Sequence, residues 1–341
     1  MTPQQALKEI LAGRSLDRPA TEELFGLLMD GQLSDTMKTA LLVALAMKGE
    51  SAAEIAGAAA AMRRRVVHIP HGRADLVDTC GTGGDGKGGF NVSTCAALVL
   101  AAAGAKVAKH GNRSVSSRSG CSDLLSALGL AVDLSPEDAA RAIEEVGIAF
   151  LFAPRMHPAM KEVMPVRREL GVRTIFNLLG PVTNPAGARR QLVGVYAEPL
   201  VATIAEVLRE LGTEHALVVH GDGYDEITTT GVTRVAEVRG GKIESYELHP
   251  RDFGLAEVGP AQVQGGSPEE NAAAARRLLA GAPGPLSDLV ALNSGAAIYV
   301  AGLAPDIKTG VAMAQKLLEE GAPLRKLDEL KAFKPSAQEA S

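Results

Sequence analysis

The sequence predicts an α/β protein. A small all-helical N-terminal unit, residues 1–72, is hinged to a larger unit, residues 73–341, whose mainly parallel β-sheet is flanked by helices. Three observations carry this reading. Four capped helical patterns fill the first seventy residues, His68-Ile69-Pro70-His71-Gly72 breaks them, and from Asp75 short apolar runs alternate with helical patterns.

Each element has a local reason. Thr2 can cap a first helix with Pro3 in its opening turn, and a second pattern follows Pro19-Ala20-Thr21. A third begins at Ser34 and carries Met37, Ala40, Leu41, Ala44 and Leu45 on one stripe. Ser51-Ala52-Ala53-Glu54 is a capping box that opens a fourth helix, ending near Arg63-Arg64-Arg65. Basic residues suit the negative end of a helix dipole, so that run reads as structural. Strand-length apolar runs then occur at 76–77, 106–108, 148–152, 192–196 and 216–220. Ser135-Pro136-Glu137-Asp138 opens a helix that stops at Gly147, and such intervening helices favour parallel pairing. Segments 234–239 and 242–248, joined by Gly240-Gly241, read as a hairpin. From Pro268 the chain returns to helices, including 286–301 and 306–320.

Composition excludes several classes. A net charge of -5 gives no footprint for nucleic acid or an anionic membrane. No apolar run reaches ~18 residues, and the N-terminus lacks a signal pattern. Cys80, Cys95 and Cys121 make neither a metal spacing nor an even set for disulfides, as expected of a cytoplasmic protein.

The most informative stretch is LVDTCGTGGDGKGGFNVST, residues 76–94. A strand, a glycine loop and a helix start together suit a phosphate, because backbone N–H groups and the helix dipole converge on it. Two familiar motifs fit and fail. Gly81 to Gly86 matches G-x-G-x-x-G, but the next strand ends in basic Lys109-His110 where a dinucleotide fold needs an acid. Gly81 to Lys87 matches G-x-x-x-x-G-K, but Gly88 lacks the hydroxyl that a P-loop places on magnesium. A second loop, Lys109-His110-Gly111-Asn112-Arg113-Ser114-Val115-Ser116-Ser117, is basic and dense in hydroxyls. Two such loops at neighbouring strand ends would suit a polyanion.

GTGGDGxxxFNVST followed by KHGNRSVSS resembles the anthranilate phosphoribosyltransferase family of tryptophan biosynthesis. The resemblance continues through HPAM (157–160), PVRRELGVRTIFNLLGPVTNPA (165–186), QLVGVY (191–196) and GYDEITTTG (223–231), nearly the whole chain. It implies transfer of the phosphoribosyl group of 5-phosphoribosyl 1-diphosphate to anthranilate, two magnesium ions per site, and a homodimer formed through the helical part. A helical segment near 165–185 would return to the small domain.

By that resemblance Gly81, Gly84, Asp85, Gly89, Asn91, Val92, Ser93 and Thr94 hold the diphosphate side. Lys109, His110, Gly111, Asn112, Arg113, Ser114, Val115, Ser116, Ser117 and Cys121 would hold the ribose and 5-phosphate. Anthranilate would contact Gly81, Asn112 and Arg167, and Ser93, Asp225 and Glu226 would hold the metal. Hard carboxylate oxygens suit magnesium, and an arginine can fork onto a carboxylate. No nucleophile or acid–base residue is expected, because an aromatic amine attacks with its lone pair already free.

Three departures stand out. Gly89 occupies a position where the family usually has a hydroxyl, Lys87 adds a charge to the loop, and Cys121 replaces a common serine. A pyrimidine-nucleoside phosphorylase is the nearest competing enzyme, but its loop typically lacks an aspartate after the paired glycines. A non-catalytic nucleic-acid-binding relative would show a basic stripe and would have lost Asp225 and Glu226.

Overall fold

A computed structural model describes residues 1–113 and 119–336. Its first four helices are α1 (Pro3–Leu11), α2 (Arg18–Met29), α3 (Asp35–Lys48) and α4 (Ala52–Arg63). Thr2 and Ser51 form capping boxes, and Asp17 and Ser34 cap α2 and α3 with their side chains. The basic run is structural: Arg65 forks onto Asp30 at 2.7 and 2.6 Å, Arg64 pairs with Glu22 at 2.6 Å, and Arg63 donates to the Val182 carbonyl.

Seven strands among the described residues form one sheet in the order β3-β2-β1-β4-β5-β6-β7. They are β1 (Val77–Gly81), β2 (Val107–Gly111), β3 (Ile148–Phe152), β4 (Arg190–Gly194), β5 (His215–Gly221), β6 (Thr233–Arg239) and β7 (Lys242–Leu248). The first five pair in parallel, and β6 and β7 add an antiparallel edge. Gly240 and Gly241, both at positive φ, turn that hairpin.

Strands β1, β2 and β4 do not coincide with the apolar runs. β1 and β2 continue through polar residues that the interior satisfies: Asp78 accepts from the His110 N–H at 3.2 Å and from Asn184 at 2.8 Å. β4 begins two residues before its apolar run and stops at Gly194, while Val195 and Tyr196 run on beyond it. Hydrogen-bonded polar groups can be buried in a sheet at little cost, so the apolar run understates the strand.

Helices cover both faces. They are α5 (Val92–Ala102), α6 (Cys121–Leu128), α7 (Pro136–Glu145), α8 (Ala153–Met156), α9 (Met164–Leu170), α10 (Phe176–Leu179) and α11 (Leu200–Glu210), then α12 (Pro268–Leu279), α13 (Pro285–Val300), α14 (Ile307–Glu319) and α15 (Ala322–Ala332). Strand alternation sorts the core. Leu217 and Val219 of β5 join the layer containing α5 and α13, whereas Ala216 and Val218 join the layer containing α11 and the N-terminal helices. In that second layer Phe25 of α2 meets Phe176 of α10 at 5.8 Å, and Lys38 of α3 donates to the Glu162 carbonyl at 2.8 Å. Segment 162–179 therefore packs on the helical unit as well as on the sheet.

Candidate active site

The chain runs from β1 outward to β3, then returns to the other side of β1 with β4. In open α/β sheets the crevice at such a reversal, beyond the strand C-termini, is where ligands bind. Here those C-termini are Gly81 and Gly194, paired directly across the two strands.

Both glycines are required by what lies on them. A Cβ on Gly194 would fall 1.6 Å from the Asp225 carbonyl oxygen, and one on Gly81 would fall 2.4 Å from the Asp225 carboxylate. Segment 225–226 thus rests on a floor that no side chain may occupy. Its approach is set by a tight turn after β5. Gly221 and Tyr224 exchange backbone hydrogen bonds, and Asp222 and Gly223 between them both take positive φ. The Thr230 hydroxyl donates to the Asp222 carboxylate at 3.0 Å, fixing that unusual residue. On the far side, Asn293 of α13 accepts from the Ile227 N–H at 3.0 Å and donates to its carbonyl at 2.7 Å.

The glycine loop, residues 81–89, folds over this segment. The Gly83 N–H donates to Asp225 Oδ2 at 2.7 Å. Gly88 and Phe90 are stitched to Gly265 and Val263, and Lys87 reaches the Tyr224 ring at 5.4 Å. Arg173, ahead of α10, donates to the Gly84 carbonyl and stacks on Tyr196 at 4.2 Å. Helix α5 starts at the end of the loop with no side-chain cap, so its opening N–H groups are not occupied by a capping residue.

Electrostatics at this point are strained. Asp225 and Glu226 are half-buried. Burial, reinforced by repulsion from Asp85, lifts the Asp225 carboxyl to about 7. Burial and the charges of Asp225 and Asp85 push Glu226 well above the usual carboxylate range. Such a cluster calls for a cation, and its hard oxygens fit magnesium. Among the described residues no group of three or more carboxylate, imidazole or thiol side chains converges as a metal cage.

Other expected residues divide into two groups. Gly81, Gly84, Asp85, Gly89, Ser93, Asp225 and Glu226 gather around the glycine loop. The Ser93 hydroxyl accepts from the Lys109 ammonium at 3.2 Å, so Lys109, buried and also bonded to the Thr79 carbonyl, points towards β1 and the start of α5. Asn91 is committed internally, to Ser119 and to Asn271 of α12. The Val92 side chain and Thr94 are buried, leaving backbone as Val92's means of contact.

Gly111 abuts Cys121, whose sulfur lies 3.0 Å from a Cβ placed there, and exposed Asn112 and Arg113 follow. Ser114, Val115, Ser116 and Ser117 lie outside the described residues. His110 Nδ1 faces the Gly180 carbonyl at 3.1 Å and its Nε2 faces His157 Nε2 at 3.1 Å. The carbonyl requires a proton on His110 Nδ1, so His157 Nε2–H is the donor between the rings. Burial lowers both, His157 to about 3, and neither is charged near neutrality.

Arg167, on α9, is half-buried over Phe176 at 5.5 Å, and burial lowers its pKa. It makes no ion pair among the described residues, while Arg168 beside it is exposed. Sequence reasoning missed Gly194, Arg173, Tyr224, Asn271 and Asn293. The motifs GVRTIFN, QLVGVY and GYDEITTTG contain Arg173, Gly194 and Tyr224 and are the available signal for them. Nothing local marks Asn271 or Asn293.

Comparison with known proteins agrees with this architecture. Residues 4–66 match the glycosyl transferase family helical bundle domain, and residues 73–324 match the glycosyl transferase family a/b domain. The anthranilate phosphoribosyltransferase of Rubrobacter xylanophilus is 53% identical over 329 residues, covering 95% of each chain. The crystal structure of the Thermus thermophilus enzyme superposes with a TM-score of 0.91 at 49% identity, covering 96% of this chain and 98% of that one. The Saccharomyces cerevisiae enzyme in complex with PRPP and Mg gives 0.88 at 27% identity, covering 97% of both chains. This is a glycosyl transferase fold of a helical bundle joined to an α/β domain. Within that class the chain belongs to the anthranilate phosphoribosyltransferase family.

Proposed function

We propose that the site described above transfers the 5-phosphoribosyl group of 5-phosphoribosyl 1-diphosphate to the amine of anthranilate, giving N-(5-phosphoribosyl)anthranilate and diphosphate. This is the second step from chorismate in L-tryptophan biosynthesis. The observation that carries the assignment is the pair Asp225–Glu226, destabilised as carboxylates and fixed under a phosphate-type glycine loop.

In this reading the glycine loop and the start of α5 hold the diphosphate, and the 109–117 loop holds the ribosyl 5-phosphate. Arg167, without an anionic partner, forks onto the anthranilate carboxylate. Asp225 and Glu226 hold magnesium, which supplies charge stabilisation to the departing diphosphate. Asp225 lies by Gly83 and Glu226 by Gly89, opposite ends of the loop, which supports one ion for each carboxylate. Ser93 is the weaker metal ligand, since its hydroxyl already faces an ammonium.

The neutral imidazoles of His110 and His157 supply no acid, and an aromatic amine needs no base before it attacks. Alignment of amine and anomeric carbon is then the main task, and it can remove about 7–11 kcal/mol from the barrier. Attack opposite the leaving diphosphate inverts the anomeric centre. Residues 1–72 act as the small domain and residues 73–341 as the large one, with segment 165–185 returning to the former. Leu11 and Met47, exposed on the contacting helices α1 and α3, support a homodimer formed there. Free thiols at Cys80, Cys95 and Cys121 support a cytoplasmic setting.

Incubated with magnesium and 5-phosphoribosyl 1-diphosphate, the protein should consume anthranilate, read as loss of its fluorescence. No loss at any magnesium concentration, with phosphorolysis of thymidine or uridine instead, would overturn the assignment.

A further inference from the structure

Arg173 has no role in the scheme above, yet it touches the centre of it. It lies in the short connection between α9, which carries Arg167, and α10. Its guanidinium stacks on Tyr196 at 4.2 Å and donates to the carbonyl of Gly84, the residue before Asp85. The Tyr196 N–H in turn donates to the Thr82 hydroxyl at 3.0 Å. Arg173 and Tyr196 together therefore grip the glycine loop at two points, Thr82 and Gly84. On the other side, α9 ends at Gly171 in the left-handed conformation, and the Thr174 N–H is pinned by Asn177 at 3.0 Å. Any tilt of α9 is delivered to Arg173 through two residues only. Although Arg173 is exposed, it forms no ion pair among the described residues; its contacts are a ring and a loop carbonyl.

We propose that Arg173 is a positioning residue that couples the two substrate sites. Docking of an aromatic carboxylate on Arg167 fixes α9, and Arg173 transmits this to Gly84 and Asp85, holding the loop in the shape that grips diphosphate. This rests on the assignment of Arg167 to the carboxylate and of the glycine loop to the diphosphate. Coupling of this kind is reciprocal and typically amounts to a ~5–150-fold change in affinity. An arginine suits the task because one planar group can stack and donate at once, which lysine cannot reproduce.

The test uses a pair of ligands that cannot react, anthranilate and magnesium diphosphate. Calorimetry gives the affinity of each alone and in the presence of the other. In the unmodified protein each ligand should tighten the other at least ~5-fold. In Arg173→Ala that factor should fall to about 1, with anthranilate alone bound within about twofold of the original affinity. Arg173→Lys should fail to restore it, and Tyr196→Leu should reduce it while Tyr196→Phe, which keeps the ring, should not. If Arg173→Ala weakens magnesium diphosphate alone and leaves the coupling factor intact, Arg173 is a direct anion ligand and the proposal is wrong. An unmodified protein that binds both ligands without coupling overturns it equally. Failure of the unmodified protein to bind either ligand would instead overturn the substrate assignment, and this proposal with it.

Discussion

Glu237 on β6 and Asp225 in the connection from β5 to β6 lie towards opposite ends of this strand pair, and the two ends treat their acids in opposite ways. At one end Glu237 accepts from His215 at 2.9 Å, Tyr299 at 2.7 Å and Tyr246 at 2.9 Å. Burial alone would raise its pKa, but those three donors outweigh it and hold the carboxyl at about 2. At the other end Asp225 accepts backbone N–H groups, Gly83's at 2.7 Å among them, but burial and the facing Asp85 outweigh them and lift it to about 7. Burial is common to both. What differs is whether the fold supplies enough partners, and the end that falls short is the end with the glycine loop. A carboxylate satisfied by the fold stabilises the fold, and one left short of partners is available to a cation.

That contrast can be broken experimentally, beginning with the largest effect. Asp225→Asn with Glu226→Gln should lower steady-state turnover by more than about a thousandfold, since it removes the charge that holds the metal. Glu237→Gln should leave turnover within about twofold while lowering stability. Retained turnover in the double variant would place the metal elsewhere.

Gly194→Ala should lower turnover by about a hundredfold, because its Cβ must displace the Asp225 backbone. Its far-ultraviolet circular dichroism should stay unchanged, which separates a displaced site from an unfolded chain. Arg167→Ala should raise the KM for anthranilate at least ~10-fold, the loss of a charged hydrogen-bonded contact. An effect confined to the phosphoribosyl substrate would show that the arginine was misassigned.

The smallest effect concerns Gly89. The nearest atoms to a Cβ there are the Tyr224 ring at 3.5 and 3.7 Å and Glu226 at 3.7 Å, ordinary contacts. Gly89→Ser should therefore fold normally and lower the KM for 5-phosphoribosyl 1-diphosphate by about threefold, one added neutral hydrogen bond. A raised KM would indicate that the serine instead crowds Glu226.

The two ends also differ in how far the sequence reveals them. Caps at Thr2, Ser34 and Ser51, the glycine hairpin and the alternation after Asp75 are local signals, and they gave the fold class. Strand limits were harder, because Asp78, Thr79 and Lys109 look like loop residues until Asn184 and Ser93 arrive to satisfy them. The glycine loop and Asp225–Glu226 stood out as motifs and pointed to the family. Their placement depends on partners distant in sequence, Gly194, Arg173 and Asn293, for which no local pattern exists. The Glu237 network was invisible for the same reason: His215, Tyr246 and Tyr299 come from three different elements.

The contrast itself is tested most directly by ligand-free thermal melts of two variants side by side at pH 8. A carboxyl whose folded pKa is raised from 3.8 to about 7 costs no stability below pH 3.8, costs increasingly as pH rises from 3.8 to 7, and carries the full cost above 7. Glu237, lowered from 4.5 to about 2, contributes stability that is present above pH 4.5 and lost as pH falls towards 2. At pH 8 the Asp225→Asn, Glu226→Gln protein should therefore melt above the unmodified protein, and Glu237→Gln below it, by about 3 °C or more in each direction. Near pH 4 the advantage of the double variant should vanish. If both variants melt lower at pH 8, the acidic pair is held by the fold as Glu237 is, and the account of a site kept ready for a cation is contradicted.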